Sequence, residues 1–232
     1  MKILLVVDLQ NDFCPGGGLG VNDGDTIVPI VNQLIAEGQY DVIVASQDWH
    51  PANHCSFDEW PVHCVQGTLG AELRSDLLTA EIDKIILKGT NPNIDSYSAF
   101  FDNAKLESTG LSQYLEEVAA RQGKTLHDCE IDIVGLAFDY CVKFSALDAQ
   151  KLGLNTAVIF DATKSVNLNQ GDANLGILSD EEKTIQELTQ AGVNLKTSRE
   201  IFCIAERGRS IAPLERCLGG KNEREIPRGI SI

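Results

Sequence analysis

The chain has 232 residues, 43% of them hydrophobic, and a formal net charge of −15. That length and apolar content suffice for one buried core, as one domain or one domain with an appendage. The negative charge argues against nucleic acid and anionic membrane surfaces as partners, and no apolar run approaches the roughly 20 residues that a bilayer span needs.

KILLVVD at 2–8 is a short apolar run broken by Asp8, with no small-residue cleavage site behind it. It predicts a buried first strand rather than a signal segment. TIVPIVNQLIAEG at 26–38 predicts a helix closed by Gly38. DVIVAS (41–46) and KIILKG (84–89) predict the second and third strands. GLSQYLEEVAARQG (110–123) predicts a helix, EIDIVGLA (130–137) the fourth strand and YCVKFSALDAQKLG (140–153) another helix. NTAVIF (155–160) predicts a strand, SDEEKTIQELTQAG (179–192) a helix and VNLKT (193–197) the last strand. Continuous apolar strands alternating with helices imply an α/β fold whose parallel sheet is covered on both faces, a three-layer αβα arrangement. Residues 206–232 carry six basic and four acidic residues and show no period. They read as a basic C-terminal extension of a domain spanning 1–205, surface-packed or mobile, with a subunit contact as the sharper alternative. The seven cysteines, an odd number at irregular spacing, read as reduced thiols of a cytoplasmic protein.

Ligands of an open parallel sheet sit beyond the carboxyl ends of its strands. Strand one ends at Asp8, strand two runs into Asp48 and His50, strand three ends at Lys88, and strand four leads to Cys141. A free cysteine is ordinarily a small buried hydrophobe. At a helix N-terminus, however, partial positive charge lowers a thiol's pKa, and free N–H groups can hold an oxyanion. Asp8 is the natural base for such a thiol. Lys88 is placed to pair with Asp8, where a lone lysine would otherwise be a solvated strand end. His127 reads as a surface residue, and no histidine precedes Cys141 in a Cys–His spacing.

Three of the four histidines fall within SQDWHPANHCSFDEWPVHC: His50, His54 and His63, with Asp48 just before them. Alternation puts residues 48 and 50 on one side of an extended strand end. Imidazoles and a carboxylate suit zinc, iron(II) or manganese. A closed structural zinc site that includes Cys55 or Cys64 stays open at this level. CPGGGLG (14–20) starts too far past the first strand, and too far before the next helix, to cradle a dinucleotide. It reads as a flexible loop over the rim, and CLGGK in the tail lacks the context of a phosphate loop.

The blocks VVDLQNDFCPGG, SQDWHPANHCSF, WPVHCVQGTLGAEL, KGTNPNIDSYSAFFDN and GLAFDYCVKFSALDA resemble, together and in order, those of the nicotinamidases within the isochorismatase-like cysteine hydrolases. The resemblance covers about residues 1–200. It implies a six-stranded, mostly parallel sheet in the order 3-2-1-4-5-6. It implies that Asp8, Lys88 and Cys141 are catalytic, with an oxyanion held by the N–H groups of Ala137 and Cys141 beside a cis Leu136–Ala137 bond. One divalent metal ion (zinc, iron or manganese) is implied at Asp48, His50, His54 and His63. The implied partner is nicotinamide, with pyrazinamide as a second substrate, and the chain is a monomer or a homo-oligomer. Phe13 and Trp60 are implied to flank the ring, and Leu19, Tyr97, Leu136 and Tyr140 to line the pocket. Phe138 departs from the family, which commonly has threonine there, and puts the pocket shape in question. Segment 161–170 matches the family only in part. A related hydrolase acting on another small amide with a structural metal is the alternative. A non-catalytic thiol or metal-binding protein is a third, against which the complete Asp8–Lys88–Cys141 set argues.

Overall fold

The first strand, β1 (Lys2–Val7), sets the layering, because its side chains alternate between two faces and both are buried. Ile3, Leu5 and Val7 enter one apolar cluster, Leu4 and Val6 the other. The structure is a computed structural model describing residues 1–209. After β1 come α1 (Val28–Glu37), β2 (Val42–Asp48), β3 (Lys84–Lys88), α2 (Leu111–Arg121), β4 (Glu130–Leu136), α3 (Lys143–Lys151), β5 (Asn155–Lys164), α4 (Asp180–Gln190), β6 (Asn194–Lys196) and α5 (Ser198–Arg209). The strands form one sheet in the order β3-β2-β1-β4-β5-β6, and every pairing is parallel. Leu111 and Leu115 of α2, Ala146 of α3, and Ile185 and Leu188 of α4 cover the first face. Val31 and Leu34 of α1 and Ile201 of α5 cover the second. Among the described residues no helix is long and apolar enough to cross a membrane.

Elements depart from the sequence pattern where long-range contacts intervene. β2 runs two residues past its apolar stretch, because β3 keeps pairing with it through Gln47↔Leu87 and Asp48↔Lys88. β5 extends to Lys164, with a register shift against β4 between Ile133 and Gly135. Helix α5 has no counterpart in the sequence reading. Its first residue is tied down by a distant partner: the Ser198 N–H and hydroxyl donate to the buried Asp161 carboxylate at 2.8 and 2.6 Å. Helix α4 starts where the sequence placed it, on a capping box in which Ser179 and Glu182 satisfy each other's N–H groups. The expected basic extension, 206–232, lies outside the described residues except for 206–209, the end of α5.

Strand sequence order reverses between β1 and β4, so the carboxyl ends of these two strands flank a crevice. The end of β4 is irregular there, with a register shift between Ile133 and Gly135. Gly135 has φ +111°, and a Cβ on it would stand 2.0 Å from the Val7 carbonyl oxygen. Gly135→Ala should therefore lower stability by more than about 3 kcal/mol, through backbone strain and the clash with β1 together. Urea unfolding followed by far-UV circular dichroism measures this, and an unchanged midpoint would mean that the strand end is not held as described.

Candidate active site

The crevice is organised around the Lys88 ammonium, which has no exposed side-chain surface. Its Nζ lies 2.5 Å from Asp48 Oδ1, 2.7 Å from the Ser96 carbonyl oxygen, 2.9 Å from Asp8 Oδ2 and 3.4 Å from Cys141 Sγ. Each neighbour arrives from a different element. Lys88 ends β3 and Asp48 ends β2, side by side in the register. Asp8 follows β1 in a left-handed conformation, φ +46°, and accepts a 2.6 Å bond from Ser46 Oγ. Cys141 belongs to a π-helical turn, Phe138–Val142, that precedes α3. It was expected to open an α-helix directly. The turn is wider because the Ala137 carbonyl accepts from both Tyr140 N and Val142 N. The Leu136–Ala137 peptide before it is cis.

Burial alone would lower the Lys88 pKa, but Asp48, Asp8 and Cys141 outweigh it and hold the group well above its usual value. Burial pushes Asp8 up to about 6, opposed mainly by Lys88. Burial would also raise Asp48, but Lys88 and then His50 pull it well below the carboxylate range. Cys141 is pushed up by burial, with Lys88 opposing and Asp8 adding to the rise. At neutral pH this leaves a permanent cation, two carboxylates and a thiol that has Asp8 as a side-chain hydrogen-bond partner.

The imidazoles lie beside Asp48. His50 Nε2 is 3.5 Å from Asp48 Oδ2, while its Nδ1 meets the Gly89 carbonyl oxygen at 2.9 Å. A Cβ on Gly89 would come within 2.4 Å of the His50 ring, so glycine (φ +61°) is required at this approach. His63 Nδ1 meets the Pro61 carbonyl oxygen at 2.7 Å. His50 and Val65 form a parallel bridge, which draws the distant His63 segment alongside. In both rings the carbonyl contact places the proton on Nδ1 and turns the Nε2 lone pair inward. One donor atom each from Asp48, His50 and His63 lies within 4.8 Å of the others. Buried His50 Nε2 has no hydrogen-bond partner. A buried lone pair left unpaired beside a carboxylate and a second imidazole fits a divalent cation. His54 falls elsewhere than expected: its donor groups with His50 and Asp95. The reason is local, since His54 Nδ1 caps the turn Cys55–Asp58 by accepting from Ser56 N, and its ring stacks on His50 at 4.0 Å. Its Nε2 is likewise buried and unpaired. Cys64 is buried, and neither it nor Cys55 joins such a group among the described residues.

Above these groups lies a cavity enclosing about 430 Å³ of non-atom space, part of it open to solvent. Phe13, Leu19, Trp60, Tyr97 and Tyr140 line it, together with Ala137 and Cys141. Trp60 Nε1 donates to the Tyr97 hydroxyl at 3.1 Å, and Trp60 meets Tyr140 edge-on at 5.2 Å, so the aromatic wall is braced. Leu136 does not line the cavity; it is 0% exposed and packs in the core beside α1. Phe138 also stays out, meeting Phe160 edge-on at 5.2 Å in the opposite core, so it does not alter the pocket. The sequence reading missed Val21, Ser56, Asp95 and Val166 on the wall. Val166 is carried there by Asp139, whose buried carboxylate accepts from Val166 N and Asn167 N at 2.9 and 2.7 Å. Only the aspartate inside GLAFDYC hinted at that tie. His127 stands outside the site.

Residues 2–190 match the family model described as the isochorismatase domain. The nicotinamidase of Acinetobacter baylyi is 43% identical over 221 residues, spanning 86% of this chain and 94% of that protein. Among solved structures, the Acinetobacter baumanii nicotinamidase/pyrazinamidase superposes with a TM-score of 0.75 at 39% identity, covering 86% of this chain and 97% of that one. The pyrazinamidase of Pyrococcus horikoshii in complex with zinc gives 0.67 at 37% identity, covering 84% and 98%.

The Asp8 pKa sets a pH limit on thiol reactivity. Below about pH 6 Asp8 carries a proton and cannot accept that of Cys141. The rate of Cys141 alkylation by iodoacetamide should therefore fall about tenfold per unit below that pH, reported as a property of the coupled pair. Asp8→Asn should be slow across the whole range. A rate that ignores pH between 4 and 7 would remove Asp8 from the proton path.

Proposed function

The chain belongs to the isochorismatase family and lies among its nicotinamidases, a hydrolase acting on an amide, and we propose that its substrate is nicotinamide, released as nicotinate and ammonia. The observation that carries this reading is the thiol of Cys141, 3.4 Å from a buried lysine and facing a cavity walled by aromatic rings. A flat neutral ring is held well by aromatic faces, here Phe13 and Trp60. A carboxamide on that ring would be presented to Ala137 and Cys141, which line the same cavity.

The chemistry follows from the ionisation states. Asp8 takes the proton of Cys141, and the thiolate attacks the carboxamide carbon. Lys88 stays charged throughout and balances the thiolate as it forms. The negative oxygen of the tetrahedral intermediate is received by the N–H groups of Ala137 and Cys141. Asp8, now protonated, gives its proton to the departing ammonia, leaving an acyl thioester on Cys141. Water, deprotonated by Asp8, then attacks the thioester carbon, and nicotinate leaves with the thiol restored. Asp48, His50 and His63, with His54 alongside, are the residues proposed to hold a divalent metal ion. When bound, that ion supplies an electrophilic contact for a ring nitrogen and so favours pyridine and pyrazine carboxamides over benzamide. The same reaction places the protein in the recycling of nicotinamide towards pyridine nucleotides.

Ammonia release from nicotinamide by the purified protein tests the reading. Cys141→Ala should lower kcat by at least about a thousandfold. Removing metal with a chelator should raise KM for nicotinamide far more than for benzamide, and reloading should reverse it. No ammonia from the reduced, metal-loaded protein would refute the substrate assignment and leave amide hydrolysis of another small molecule.

A further inference from the structure

We propose that Gln10 is a positioning residue whose side-chain amide holds Asp48 between Lys88 and the histidines. The proposal rests on the assignment of Asp48 to both groups given above. Gln10 is 0% exposed and lies outside the cavity wall. The backbone pairing of β1 with β2 ends at Val6↔Ala45, followed by one further bond from Asp8 N to Ser46 O at 3.2 Å. There the chain turns, because Asp8 is left-handed and Gln10 N bonds back to Asp8 O at 2.8 Å. Asp48, two residues further along β2, has lost its neighbour on the β1 side. Its peptide groups are buried and need partners. The Gln10 amide supplies both: Oε1 accepts from Asp48 N at 2.8 Å, and Nε2 donates to Asp48 O at 2.8 Å. The side chain thus continues the sheet by one amide where the strand has left. The second Nε2 proton goes to Ala71 O at 2.7 Å, so both N–H donors and the carbonyl oxygen of the amide are engaged.

The consequence concerns where the Asp48 carboxylate points. Oδ1 is 2.5 Å from Lys88 Nζ and Oδ2 is 3.5 Å from His50 Nε2. A carboxylate shared between two partners on opposite sides tolerates little rotation of its own backbone. β3 holds Asp48 on one side through the Asp48↔Lys88 register. Gln10 holds it on the other. Gln47 offers a built-in control: it is also buried, and its Nε2 donates to the same Ala71 oxygen at 2.8 Å, yet it makes no bond to the Asp48 peptide.

Gln10→Met keeps the side-chain length and removes the amide, and Gln47→Met removes only the shared bond to Ala71. Zinc affinity by competition with a chromogenic chelator, and the rate of Cys141 alkylation by iodoacetamide, are measured on the full chain. Gln10→Met should weaken zinc binding about tenfold or more, as loss of a ligand-orienting partner does, and change the alkylation rate through Lys88. Gln47→Met should stay within about twofold of the parent on both. Equal effects of the two substitutions, or no effect of either, would overturn the proposal. If the parent takes up no zinc, the metal assignment of the preceding subsection fails, and alkylation alone decides: an unchanged rate in Gln10→Met then overturns this one. Should Gln10→Met not fold by far-UV circular dichroism, Gln10→Asn takes its place, since it retains an amide but is one methylene too short to reach both Asp48 groups.

Discussion

A lysine ammonium shut away from water is the constraint on which this site depends. Taking an ion of that size into the interior costs several kcal/mol even after relaxation. Lys88 is tolerated because Asp8, Asp48 and the Ser96 carbonyl surround it at 2.5–2.9 Å. Those partners come from the ends of two other strands and from the loop after β3. Strand order therefore has a chemical consequence: β3, β2 and β1 lie side by side, and β4 follows on the far side of β1. That order puts the ends of β1, β2 and β3 and the turn after β4 around one point. Mutual attraction among charges also explains why each group holds its ionisation state. Lys88 is kept charged by the carboxylates, Asp48 is kept charged by Lys88, and Asp8, the more weakly held of the two, is left near neutrality at about 6.

Asp48 joins two groups that look separate in the chain. One oxygen faces Lys88 and the other faces His50. The proposed proton-transfer set and the proposed metal set therefore share a carboxylate, and neither can be moved without the other. The supports around it are of one kind: polar side chains and carbonyls that fix backbone at places the strands do not reach. The Gly89 and Pro61 carbonyls orient two imidazoles. Asp139 fixes the Val166 wall, and Asp12 ties Gly18 N and Cys64 N, linking the glycine-rich loop to the segment that carries His63. That loop was expected to lie over the rim, and Leu19 from it does line the cavity.

Much of this was legible along the chain, for definite reasons. Asp8 and Lys88 stood out because each ends an apolar run, and parallel strands present their ends to one crevice. The histidines stood out by spacing, 50, 54 and 63, in a chain with only one other. What spacing could not show is that His54 caps its own turn and so groups with Asp95, which is 41 positions away. Nor could it show that Leu136 and Phe138 turn into the two cores while their neighbours Ala137 and Cys141 face the cavity. Those directions follow from the positive-φ backbone at Gly135, packed close to Val7, and from the wide turn after it, in which the Ala137 carbonyl accepts twice.

By itself the sequence determined the layers, the parallel sheet and the residue types available on its rim. Those depend on local periodicity and on which side chains end each strand, and both are written within a few positions. The tertiary structure alone decided which of those side chains meet. Ser46 reaches Asp8, Gln10 reaches Asp48, Asp161 anchors Ser198, and Ser96 receives Lys88, although most of these pairs are 37 or 38 residues apart. Such pairings arise because buried peptide groups and charges must find partners wherever the fold leaves them. A chain read in one dimension carries no record of that geometry.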